Sequence, residues 1–84
     1  MRLDKYLKLS RIIKRRTLAK KAAQMERVEV NQKLAKPSTT LKLNDLVTLY
    51  LGNHLLKVRV LSFEQKKDQL MYELIEEKKL EQGQ

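Results

Sequence analysis

Apolar residues recur at helical intervals through the first 25 positions. Leu3, Tyr6, Leu7 and Ile13, with Ser10 among them, fall at i, i+3, i+4, i+10 and i+7, which puts them on one helical face. Asp4 lies in the first turn, where a carboxylate suits the positive end of the helix dipole; there it can cap, or pair with Lys8 one turn on. A second set, Leu18, Ala19, Ala22, Ala23 and Met25, also has helical spacing, but the polar run Lys14-Arg15-Arg16-Thr17 breaks its phase from the first. The pattern therefore predicts two short helices with a bend near residues 14–16.

After Met25 the period shortens to two. Val28, Val30 and Leu34 alternate with polar neighbours as in short strands, with Asn31-Gln32 as the turn between them. Residues 36–40, Lys-Pro-Ser-Thr-Thr, read as loop. Residues 46–51 and 55–61 are strong strand candidates flanking Gly52-Asn53, a hairpin signal. Residues 70–75 are a candidate last strand. Helix, helix and then sheet is an α+β order with a small antiparallel sheet. The expected organisation is one domain over residues 1–75 and a flexible C-terminal tail over 76–84.

Charge is unevenly spread along this framework. The chain carries 19 Lys+Arg against 10 Asp+Glu, a net +9. Residues 1–30 hold ten bases and three acids, a net +7, and the stretch from Ser10 to Lys21 has six bases and no acid. A solvated helical face normally interleaves acids that make i, i+4 pairs. Here Lys8, Arg11 and Arg15 are spaced as a single stripe, and Arg16 and Lys20 as an i, i+4 pair, without a local carboxylate. Like charges at such spacings cost roughly 0.2–0.5 kcal/mol per pair, which an anionic partner would offset. Nucleic acid is the leading class of partner.

Catalysis has little to work with. A chain of 84 residues buries only roughly 60–65% of its unfolded surface, which disfavours a deep cleft. There is no cysteine, and the single histidine, His54, sits beside the Gly52-Asn53 turn without evident metal-ligand partners. Ser10, Thr17, Ser38 and Ser62 have no base to activate them, and with glycine only at positions 52 and 83 no phosphate-cradling loop can form. A binding protein is expected, with no enzyme activity, cofactor or metal. No apolar run approaches the roughly 20 residues needed to cross a bilayer, and no signal-peptide stretch opens the chain. The expectation is a soluble, cytoplasmic protein, monomeric when free and without a membrane partner.

RNA is favoured over DNA. The aromatic residues are only Tyr6, Tyr50, Phe63 and Tyr72, most at expected core positions, which argues against a base-stacking platform. Two helices and a sheet do not make a helix-turn-helix reader. Recognition of phosphate shape by a rigid basic face remains, and folded RNA presents such shapes.

Several short motifs then share a familiar order. Arg2-Leu3-Asp4-Lys5-Tyr6-Leu7, Ser10-Arg11, Lys14-Arg15-Arg16-Thr17-Leu18-Ala19, Val28-Glu29-Val30-Asn31, Lys36-Pro37-Ser38 and Asp45 resemble the S4-type RNA-binding domain over about residues 1–60. The chain is most similar to stand-alone bacterial members that act in ribosome-associated quality control, and more distantly to heat-shock-induced large-subunit-binding proteins. The resemblance implies two helices packed on a small antiparallel sheet, with RNA on the helical face. It implies binding to 23S rRNA of a large subunit obstructed by peptidyl-tRNA. The tRNA is held while a NEMF-type quality-control factor recruits alanyl-tRNA for C-terminal tailing.

Arg2, Arg11, Arg15 and Arg16 match the family's rRNA and tRNA contacts, and Lys8, Lys14 and Lys20 extend the same basic set. Asp4 and Ser10 take supporting positions, with Asp4 orienting an arginine. Where relatives usually carry glycine, this chain has Glu26, Gln32 and Asn44. Either those backbones are rearranged or the domain is less stable, since positive φ costs most L-residues roughly 1–2 kcal/mol. Two other functions fit the residues: a general RNA chaperone or accessory to an RNA-modifying enzyme, and a protein-interaction module using the hairpin over residues 46–61.

Overall fold

A computed structural model describes residues 1–80. Two helices, α1 (Leu3–Leu9) and α2 (Arg16–Gln24), precede five strands: β1 (Val28–Val30), β2 (Lys33–Leu34), β3 (Leu46–Leu51), β4 (His54–Val60) and β5 (Tyr72–Lys79). The strands form one antiparallel sheet in the order β2-β1-β3-β4-β5. The α+β architecture and small antiparallel sheet expected from the sequence are present. No helix among the described residues is long and apolar enough to cross a membrane.

The core lies between the helices and the sheet. Leu3, Tyr6 and Leu7 of α1 are fully buried, as are Ala19 of α2 and Val28, Val47, Leu49, Val58 and Val60 of the sheet. The Tyr6 hydroxyl donates to the buried Met71 carbonyl, which ties α1 to the segment leading into β5. Burial, with Tyr72 nearby, pushes that hydroxyl's pKa well up, so it stays a donor.

The helices end earlier than their periodicity suggests. Arg11 takes φ 67°, and its amide donates to the Lys8 carbonyl at 3.0 Å, which stops α1. The connection to α2 thus spans residues 10–15, a wider break than a bend at 14–16. Ile13 still reaches the core, because its amide turns back to the Leu7 carbonyl. Helix α2 closes in a Schellman motif: Glu26 at φ 61° donates to Ala23, and Arg27 donates to Ala22. Leu18 and Met25, expected on the apolar face, are about half exposed, at 50% and 53%. Ala19 and Ala23 are the buried residues of that face and Ala22 packs partly against the core, because small residues let α2 lie close to it.

The glycine question resolves toward strain. Glu26, Gln32 and Asn44 all keep positive φ (61°, 69° and 73°), so the turns are not rearranged. Asn31-Gln32 forms a two-residue hairpin turn with both residues left-handed, the geometry that favours Asn-Gly. The Asn31 carboxamide anchors it, donating to Asp45 and accepting from the Leu46 amide. Gln32→Gly is expected to stabilise the domain by about 1 kcal/mol, because relief of strain exceeds the added unfolded-chain entropy. A thermal midpoint about 4–8 °C higher would record it.

The C-terminal boundary needs correction. Strand β5 continues to Lys79, pairing Glu76 with Lys57 and Lys79 with His54, so residues 76–79 are sheet and not tail. A register shift between Lys57 and Val58 accommodates the longer strand. The Leu80 amide still donates to the Asn53 carbonyl, and residues 81–84 of the expected tail lie outside the described residues.

Candidate nucleic-acid interface

The start of α1 is built by a distant loop. The Leu3 and Asp4 amides, which have no acceptor within the helix, donate to the Thr39 and Pro37 carbonyls at 2.8 and 3.2 Å. The Lys36 amide in turn donates to Thr39 Oγ1 at 2.8 Å, fixing the loop. This docking sets Arg2 and Asp4 beside the first turn of α2.

Asp4 is the hub. Its carboxylate is 3% exposed and accepts from Arg2 Nε at 3.1 Å, Arg2 Nη2 at 3.2 Å and the Lys5 amide at 2.8 Å. Arg16 Nη2 approaches the same Oδ1 at 3.5 Å. The i, i+4 pairing with Lys8 does not form. Each arginine side chain is half exposed, so it stays open to solvent while its guanidinium is held on the buried carboxylate. A planar fork held in this way is preorganised for phosphate oxygens.

Burial pushes the Asp4 carboxyl up. Hydrogen bonds from Arg2 and the Lys5 amide, with the charges of Arg16 and Arg2, outweigh that effect and hold it below its ordinary 3.8. Because the folded-state value is the lower one, ionised Asp4 contributes stability that is fully present above about pH 4, the unfolded-chain value, and lost as pH falls from there through the folded-state value. Urea midpoints of the wild type and Asp4→Asn are expected to differ near neutrality and to converge as pH drops below about 4.

The structure sorts the other basic residues into groups the spacing did not show. Arg2, Arg16 and Lys20, with Thr17, line a shallow hollow of about 270 Å³ over Asp4. Arg11 is not part of a helical stripe with Lys8 and Arg15, because α1 ends before it. It lines a separate hollow of about 410 Å³ with Lys66 and Lys67, some 55 positions away in sequence. Sequence reasoning missed those two lysines; their only local signal is an adjacent basic pair in a polar loop. Lys8, Lys14 and Arg15 are exposed but line neither hollow. Ser10 caps α1, its hydroxyl donating to the Leu7 carbonyl at 3.3 Å, and holds no arginine. Among the described residues, Lys8, Arg11, Lys14, Arg15 and Lys20 make no ion pair.

Comparison with known proteins bears on this arrangement. The S4 domain model matches residues 1–47, which include both helices and the docking loop. The RQC P-site tRNA stabilizing factor of Streptococcus pneumoniae is 55% identical over 87 residues, covering 99% of both chains. The chain belongs to the S4-domain family of RQC P-site tRNA stabilizing factors. The Bacillus subtilis member is 45% identical over 84 residues, covering 95% of this chain and 98% of its own. Among solved structures, the trimeric heat shock protein 15 of Vibrio cholerae matches this S4-domain chain with a TM-score of 0.73 and 28% identity. The match covers 89% of this chain and 81% of that one.

Proposed function

We propose that this S4-domain chain is a non-catalytic rRNA- and tRNA-binding factor of ribosome-associated quality control. It joins a large ribosomal subunit obstructed by peptidyl-tRNA, contacts 23S rRNA and the P-site tRNA, and supports C-terminal alanine tailing with a NEMF-type factor. The observation that carries this reading is the pair of half-exposed arginine side chains, Arg2 and Arg16, held on the buried Asp4 carboxylate. Two cations set side by side on a rigid support suit the closely spaced phosphates of folded RNA. Lys20 adjoins them, Arg11 lines the separate hollow with Lys66 and Lys67, and Lys8, Lys14 and Arg15 add exposed positive charge. The names of the full-length relatives support the tRNA assignment.

Binding to purified large subunits tests it through salt. Contact with four to six phosphates gives log K a slope of about −3 to −5 against log salt. A slope near zero would mean the basic surface is not engaged.

A further inference from the structure

A second hollow adjoins the arginine pair and shares Arg2 and Lys20 with it as walls. It is larger, about 540 Å³, and lies between α2, the β1–β2 hairpin and the docking loop. Ala23, Leu34, Ala35 and Pro37 form apolar walls, and Arg2, Lys20 and Lys36 stand around them. Leu34 is 58% exposed, a large apolar side chain left open beside three cations.

One further group distinguishes this groove. Glu26 lines it from its left-handed position at the end of α2, yet among the described residues its carboxylate makes no ion pair with any of those cations. An apolar slot with cations at its edge and a free acceptor in its wall matches one nucleotide: phosphate on the cations, base in the slot, base amine on the carboxylate. Adenine, cytosine and guanine carry an exocyclic amine with two N–H groups, whereas uracil offers an acceptor site only its single N3–H, flanked by two carbonyl oxygens that the carboxylate repels. The walls contain no aromatic ring, so the fit is by enclosure and hydrogen bonding instead of stacking.

We propose that this groove receives a single unpaired nucleotide of the bound RNA, and that Glu26 selects an amine-bearing base over uracil. The proposal rests on the RNA-binding function above and extends it from phosphate contact to base selection. Leu34 supplies apolar wall, Glu26 the acceptor, and Arg2 and Lys20 link the nucleotide to the phosphates held beside Asp4.

Fluorescence anisotropy with RNA hairpins of one sequence, fully paired or carrying a single bulged A, C, G or U, tests this. Large-subunit cosedimentation of wild type, Arg16→Ala, Glu26→Gln and Leu34→Ala runs alongside. The bulged A, C and G hairpins are expected to bind about tenfold more tightly than the bulged U or paired ones. Glu26→Gln should narrow that difference, and Leu34→Ala should weaken the bulged A, C and G hairpins while leaving the bulged U and paired ones unchanged. Binding indifferent to the bulge, or absent for every hairpin, overturns the groove assignment. Should Arg16→Ala still release subunits in that case, RNA binding itself stands; should it not, both fail. Loss of subunit binding in Leu34→Ala without any bulge dependence would assign the groove to a protein segment and overturn the nucleotide.

Discussion

Arg16→Ala is expected to weaken binding to obstructed large subunits about 10- to 100-fold while leaving the fold intact. A hydrogen bond between charged groups contributes about 1.5–3 kcal/mol, and removal of one phosphate contact lowers the salt slope by about one. Stability should move little, because Asp4 keeps its two bonds from Arg2 and one from the Lys5 amide. Arg2→Ala should differ in kind. It removes both the nearer guanidinium and the main partner of a buried carboxylate, which costs about 1–3 kcal/mol or more in stability as well as affinity. Parallel urea melts and salt titrations of the two variants separate these effects. If Arg2→Ala and Arg16→Ala lose equal stability, Asp4 does not hold the two arginines as described. The double variant should lose more stability than the sum of the singles, since each arginine still pairs the buried carboxylate when the other is removed.

Leu7→Ala is expected to cost about 2–5 kcal/mol, the largest single effect on stability. Leu7 is fully buried where α1 meets the sheet, and its neighbours Leu3 and Tyr6 are equally enclosed, so little can collapse into the space left. Domains of this size sit near the low end of about 5–15 kcal/mol, so the loss approaches half of the total. A thermal midpoint lower by about 10 °C or more is the expected reading by circular dichroism. Leu18→Ala is the matched control. Half of Leu18 faces solvent on α2, and its truncation should stay within about 0.5 kcal/mol. Equal losses for the two leucines would place the core on the wrong face of α2.

That control also marks where the sequence was legible and where it was not. Helical spacing correctly grouped Leu3, Tyr6 and Leu7, and Gly52-Asn53 and Asn31-Gln32 correctly marked the turns, because period and turn chemistry are local. Which side of α2 faces the core is not local. Ala19 and Ala23 face inward and Leu18 outward, contrary to side-chain size, because the packing of α2 against α1 decides it. Strand β5 was cut short for a related reason. Glu76, Glu77, Lys78 and Lys79 have the composition of a frayed end, but an exposed edge strand needs only a partner backbone, and β4 provides it.

The site divides in the same way. An acid in the first turn of α1, amid a basic run, marked Asp4, and the resemblance suggested that it orients an arginine. That it reaches Arg16 depends on the packing of α1 against α2, with Pro37 and Thr39 fixing the start of α1. The stripe drawn through Lys8, Arg11 and Arg15 assumed one continuous helix. With Arg11 at φ 67°, that face turns away and meets Lys66 and Lys67 instead. No spacing rule could have joined positions so far apart.

The most direct measurement is sucrose-gradient cosedimentation with purified large subunits, empty or carrying peptidyl-tRNA, using wild type and Arg16→Ala. The expected result is binding that peptidyl-tRNA strengthens and Arg16→Ala abolishes or sharply weakens. Equal binding to empty and obstructed subunits, or binding that survives Arg16→Ala unchanged, would contradict a role in holding the tRNA of a stalled subunit.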